Sequence, residues 1–374
     1  MKDFEKYIKT AAPEAADIIR ALCNIPAPSH HEEKRAEFCE KWFKDNGFQD
    51  VKTDKALNVV AQLNVTEDND VIVFLAHTDT VFPDMEPMGY VEKDGFIHSP
   101  GVCDDTANLA VLMVCARYFK DHYDFSKDGF VIVANSCEEG LGNLKGSRQI
   151  VETYAGRIKE FISLDSCTMD TLTTMAVGSH RYRVSVTTEG GHSFSNFGNR
   201  NAIHVLSSLI SSLYTVKVPQ NGSSTTTYNV GNISGGTSVN TVAQNAEMLY
   251  EYRSTDRKCL EKMRIMFNNM VEAYRSAGVK IDVELLGERP CSGTIDTERF
   301  GALRQRYFTA LENSLGLKGR ERCASTDCNI PLSLGIPAIC FGVIRGSGAH
   351  TREEKLETAS LNDGCRLLLE FMFS

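Results

Sequence analysis

The sequence predicts an α/β fold: a mostly parallel sheet with helices on both faces, interrupted by an inserted α+β sandwich. Short apolar runs of buried-strand type, VIVFLA (71–76), FVIVAN (130–135) and FISLDS (161–166), alternate with stretches of helical periodicity. Parallel strands buried on both faces and joined by crossover helices give that pattern. Near Val177 it changes to half-exposed alternation, as in RYRVSVTTEGGHS, and from Thr294 it returns to a long helix, the short GIPAICFGV strand and a final helix ending near Met372. At 374 residues the chain exceeds what one compact core holds, so two or three domains are expected.

In chain order, His31–Asn46 places Ala36, Phe38, Cys39, Trp42 and Phe43 at helical spacing and stops at Gly47. Thr106–Lys120 reads as the helix between the first two core strands. Inside the interruption, Asn201–Tyr214 and Leu260–Ala277 read as helices, while STTTYNVGNISGG, NAEMLYEYRS and Val279–Leu286 read as strands. Two helices and about four strands make a small open sandwich. The expected division is therefore one discontinuous domain, 1–177 with 291–374, and an insert at 178–290.

Composition excludes several classes. Hydrophobic and charged contents of 42% and 24% are those of a globular chain and give no case for disorder. The formal charge of −9 would repel a nucleic-acid backbone, and no basic cluster interleaves with aromatics. The longest strongly apolar run, near Leu109–Ala116, is too short to span a bilayer. MKDFEKYIKT has no apolar stretch of signal type, and the cysteines are scattered singly from Cys23 to Cys365. Together these predict a cytoplasmic protein with reduced thiols, no membrane partner and no nucleic-acid partner.

The chemistry sits where the predicted strands end. VIVFLA runs into HTDT, and the carboxyl ends of parallel strands are where α/β proteins place ligands. In extended chain His77 and Asp79 share a face, so His77 could bind a metal while Asp79 holds its imidazole. Taken alone, the pair fits a structural His–Asp contact better. GVCDDT places Asp104 and Asp105 before a helix, where acids also favour the N-terminus electrostatically. FVIVANSC ends in Glu138 and Glu139, adjacent carboxylates that repel unless a cation or shared proton is near. FISLDS adds Asp165, and glycine-rich RGSGAHT adds His350. Two histidines with three or four carboxylates are the complement for two divalent ions bridged by a carboxylate and a water.

With these motifs the chain resembles the M20 metallopeptidases, a family that includes peptidase T, glutamate carboxypeptidase, acetylornithine deacetylase and carnosinase-like enzymes. HTDT, GVCDDT, EEGLGNLKGS, GGHSFSNFGNRNAI, GGTSVNTVAQNAE, STDCNIPLSLGIPA and GAHTREE occur in the family's order, and the last four are nearest the di- and tripeptidase-like branch. The resemblance implies a zinc-exopeptidase-like fold with a lid and dimerisation insert. It implies that Asp104 bridges two metals, that His77 and Asp165 complete one site, and that Glu139 and His350 complete the other. It makes Glu138 the general base, an assignment that spacing alone does not give. The peptide bond after Asp104 is expected to be cis. Thr106 stands where many relatives carry Lys, at a position that is not a ligand.

The insert's residues gain roles by the same resemblance. His192 matches a residue that reaches a neighbouring subunit's site in dimeric relatives and stabilises the oxyanion. Asn240 and Arg253 match residues that hold the substrate's carboxylate or carbonyl, although Arg253 on its own reads as a strand-end ion pair. Thr326, Asp327 and Asn329 match a loop near the site without an assigned role. Cys103, Cys167 and Cys137 lie close to proposed ligands and read as small buried side chains, with thiolate ligation or oxidation as the alternative.

The leading expectation is a homodimeric di- or tripeptide exopeptidase with two divalent ions, zinc first and cobalt or manganese as alternatives. Its rival is an N-acyl-amino-acid amidohydrolase of deacetylase or desuccinylase type. A third class, a silent metal-binding scaffold, is opposed by the full ligand set together with Glu138.

Overall fold

The computed structural model describes residues 4–374, which divide into two compact units, 4–176 with Gly293–Ser374, and Val177–Ser292. In the first unit an eight-stranded sheet runs in the order Asp50–Thr53, Val59–Leu63, Gly129–Asn135, Val71–His77, Ile158–Leu164, Ala338–Phe341, Thr171–Ala176, Arg320–Ala324. The four central strands, from Gly129–Asn135 to Ala338–Phe341, are parallel, and the antiparallel pairings lie toward the two margins.

Val71–His77 and Gly129–Asn135 are buried at every position, which is why each reads as a continuous apolar run. Successive residues serve opposite faces. Ile72, Phe74 and Ala76 join one core with the helices Glu5–Cys23, Glu33–Asp45, Ala107–His122, Thr297–Leu315 and Ser360–Met372. Val71, Val73 and Leu75 join the other, capped by Lys145–Thr153 and Asn329–Ser333. Both faces are covered as expected, but very unequally. No helix among the described residues is long and apolar enough to cross a membrane.

A second small sheet of this unit, Gly346–Ser347, Lys355–Glu357, Phe96–His98 and Val91–Lys93, has no counterpart in the sequence reading. Its two- and three-residue strands are too short to show a period, and pairing between distant segments alone creates them. It matters because the loop between its first two strands carries His350.

The second unit is a four-stranded antiparallel sheet, Thr226–Gly235, Asn245–Ser254, Gly178–Thr187, Lys280–Arg289, with the helices Ala202–Tyr214 and Arg257–Ser276. Tyr182, Val184, Val186, Met248, Tyr250 and Tyr252 alternate along two strands and bury against Leu206, Leu209, Met263 and Phe267 of the helices. Asn201 caps the first helix by accepting from the N–H groups of Ile203 and His204, and Asp256 caps the second through Cys259. A two-stranded ribbon, Gly191–His192 with Thr241–Val242, extends from this unit.

Candidate metal centre

The carboxyl ends of the parallel strands converge. His77 ends its strand with the side chain 1% exposed, and its Nε2 lies 3.0 Å from Asp104 Oδ1. The other oxygen of Asp104, Oδ2, lies 3.0 Å from His350 Nε2, so one carboxylate sits between two imidazoles. His350 Nε2 is also 3.2 Å from Glu139 Oε1. Glu138 and Glu139 follow the Gly129–Asn135 strand and are both buried, and Asp165 follows Ile158–Leu164.

The donor atoms of His77, Asp104 and Glu139 lie within 4.8 Å of one another, and so do those of His77, Glu138 and Asp165. Geometry thus shares His77 between two overlapping groups, where the family resemblance shares Asp104. It also brings Glu138, the expected base, as close to a cation position as a ligand would be. The peptide bond between Asp104 and Asp105 is cis.

Crowding of acids sets the electrostatics. Burial opposes the charge on Asp104, but hydrogen bonds from His350 and His77 hold its carboxyl well below the usual range. Burial lifts Glu139 to about 7, with the charges of Asp104 and Glu138 adding to it. Burial lifts Asp165 to about 7 as well, helped by Asp104. The hydrogen bonds to Asp104 and Glu139 raise His350 to about 11.

A metal fits these residues on two counts. Nitrogen and oxygen donors in this proportion are those of divalent zinc, manganese or cobalt sites. Glu139 Oε1 is buried with only the His350 ring beside it, at 3.2 Å, and a buried carboxylate oxygen is costly unless a cation faces it.

Asp79 does more than its spacing suggested. Nδ1 of His77 meets the Asp79 backbone carbonyl at 3.0 Å, closer than the carboxylate at 3.4 Å. The carboxylate instead accepts the N–H groups of Glu138 and Glu139, each at 3.0 Å, and the Ser29 hydroxyl at 2.6 Å. It therefore aims both glutamates. Asp79→Asn would set an amide N–H₂ against one of those N–H donors and is expected to lower metal affinity about 10–100-fold. Metal titration of the stripped protein checks this, and unchanged affinity would show the turn to be held without Asp79.

Other residues at the centre carried little or no sequence signal. Asp105 accepts the His77 N–H at 2.9 Å and Asn108 Nδ2 at 2.7 Å. Buried Glu32 accepts the Cys137 N–H at 2.9 Å and its thiol at 3.1 Å. Cys103 donates to the Lys355 carbonyl at 3.1 Å, and Cys167 is half-buried. None of the three thiols belongs to either donor group among the described residues. Asp327 is fully buried and accepts from Asn135 Nδ2 at 2.6 Å, while Asn329 accepts the Thr326 N–H at 2.9 Å. These contacts fix the loop after the Arg320–Ala324 strand.

In the second unit, the ribbon brings His192 and Asn240 together, with the Ser193 N–H donating to the Asn240 carbonyl at 3.0 Å. His192 is exposed, and its Nδ1 accepts the N–H groups of Phe194 and Ser195 at 3.3 and 3.4 Å. Arg253 is on the Asn245–Ser254 strand, where its guanidinium forms a fork with Glu251 at 2.9 and 3.0 Å. It is an ion pair of the kind its sequence position suggested.

What the sheet and its strand ends define is a hydrolase of the kind that works with bound divalent metal. The chain belongs to Peptidase family M20/M25/M40, matched over residues 73–374, and is a peptidase or amidohydrolase of that family. It is 25% identical over 369 residues to a succinyl-diaminopimelate desuccinylase of Corynebacterium glutamicum, covering 95% of each chain. Its fold is similar to a tripeptidase of Staphylococcus aureus, with a TM-score of 0.78, 22% identity and coverage of 96% and 97%. It is also similar to aminopeptidase PepT of Bacillus cereus, with a TM-score of 0.73, 21% identity and coverage of 96% and 98%.

Proposed function

We propose that the protein is an exopeptidase that cleaves di- and tripeptides at a centre of two divalent ions, zinc before cobalt or manganese. The observation that carries this reading is Asp104 lying 3.0 Å from His77 on one oxygen and 3.0 Å from His350 on the other, among Glu138, Glu139 and Asp165. His77, Asp104 and Asp165 would hold one ion, and Asp104, Glu139 and His350 the other. When bound, such a pair acidifies water and polarises a carbonyl.

The chain's own groups do the rest. Glu138 accepts the proton of the attacking water and returns it to the leaving amine. The Asp79 carboxylate fixes the backbone from which Glu138 projects. With its Nδ1 accepting backbone N–H groups, His192 carries its proton on Nε2 and can donate to a developing oxyanion. Asn240 and Arg253 take the substrate's carboxylate or carbonyl. Because Arg253 is already forked to Glu251, it does so by exchanging one carboxylate for another.

Two features support a homodimer. Phe194 and Phe197, 88% and 91% exposed, follow His192 on one loop and Val239 is exposed beside Asn240, an apolar patch that a second copy would cover. The Thr226–Gly235 strand lies at the margin of its sheet, with one edge open to pair with its symmetry mate. Buried free thiols such as Cys23, Cys39 and Cys103 support a cytoplasmic location.

The N-acyl-amino-acid amidohydrolase is the second reading, favoured by the 25% identity to the desuccinylase across nearly the whole chain. A panel of di- and tripeptides against N-acetyl and N-succinyl amino acids separates the two. Peptides are expected to turn over, and chelation followed by zinc is expected to remove and restore that activity. Turnover confined to N-acyl substrates would overturn the peptidase reading, and chelator-insensitive activity would overturn the metal.

A further inference from the structure

We propose that Glu354 is a positioning residue that makes the two halves of the metal centre depend on each other. This rests on the metal-centre reading above. Glu354 is fully buried, four residues after His350, where the loop returns to the small sheet. Its Oε1 accepts the N–H groups of Cys103 and Asp104 at 2.6 and 2.9 Å, and its Oε2 accepts that of Gly101 at 2.8 Å. A single carboxylate thus satisfies three donors of the turn that presents Asp104.

The tie continues through the backbone. The Ser99 N–H donates to the Glu354 carbonyl at 3.3 Å, and the Cys103 thiol donates to the carbonyl of Lys355. Sinking a carboxylate this deep is costly, and three N–H donors offset part of that cost. The segment that delivers His350 is therefore the segment that aims Asp104. Neither can shift alone, and a metal held by both is held by a single assembly.

Glu354→Gln tests this. The side chain keeps its shape, but one acceptor oxygen becomes N–H₂ and faces a backbone N–H in either amide orientation. Zinc affinity of the folded variant is expected to fall about 10–100-fold. A double-mutant cycle with His350→Ala, read in zinc affinity, should be non-additive. A residue that only stabilises the fold would lower Tm and leave the zinc affinity of folded protein unchanged, with additive effects, and that result would overturn the proposal. If Glu354→Gln does not fold, Glu354→Asp, which keeps the charge but shortens its reach, takes its place. Failure of both to fold even with zinc would mark a purely structural residue and also overturn it. A wild-type protein that binds no zinc would count against the proposed function instead.

Discussion

Glu138→Ala is expected to lose on the order of 10²–10⁴-fold in kcat while the protein still binds its metal. The side chain is buried, and its backbone is fixed by the 3.0 Å bond to Asp79, so its removal leaves the surrounding turn in place. The loss then reports proton transfer rather than collapse of the site. The opposing possibility is concrete, because a Glu138 oxygen lies within 4.8 Å of donor atoms of His77 and Asp165. If Glu138 were a ligand, metal would leave with it. Metal per chain measured beside kcat decides between them. Retained metal with lost turnover assigns the base, and lost metal shows that Glu138 and Glu139 have exchanged roles. Glu139→Ala is the matched control, expected to lose metal first.

The parts of this molecule that were legible in its sequence share a physical cause. Val71–His77 and Gly129–Asn135 are buried on both faces, so their apolar runs are continuous. In the insert, Tyr182, Val184 and Val186 alternate with half-exposed residues because only one face meets helices. The donors at the strand ends were readable because His77 and Asp165 follow apolar runs directly and Glu138 comes three residues after one.

Glu354, Glu32 and Ser29 were not readable as parts of the site, since each lies in a loop or helix cap without periodicity. Glu354 meets Asp104 across 250 residues of chain, and Ser29 meets Asp79 across 50. Asp79 shows the limit of spacing arguments from another side. Spacing placed it on the face of His77 to hold the imidazole, yet its carboxylate mainly holds the Glu138–Glu139 turn, which follows a different strand. The helix Glu5–Cys23 also escaped the reading, with Pro13 inside it. Proline normally breaks such a pattern, and packing of Ile8, Ala12, Ala15 and Ile19 into the core outweighs it.

His192→Ala and Glu138→Ala chains, each inactive alone, are expected to recover activity when mixed and allowed to exchange subunits. The argument begins with exposure. His192 stands on a ribbon of the insert just before exposed Phe194 and Phe197, and its ring accepts the N–H groups of Phe194 and Ser195. A fixed donor within an exposed apolar patch suits an interface more than open water. In a dimer where each chain lends His192 to its partner, a mixed pair holds one site with both substitutions and one with neither. Random pairing of equal amounts makes half the dimers mixed with one intact site each, so recovery of about a quarter of wild-type activity is expected. Sedimentation must show a dimer and verified exchange. Covering the patch also predicts that Phe194→Asp with Phe197→Asp shifts the protein toward monomer and lowers turnover while leaving zinc affinity unchanged. If exchanged heterodimers stay inactive, or a strictly monomeric preparation is fully active, His192 serves no neighbour's site and the dimer is not part of catalysis.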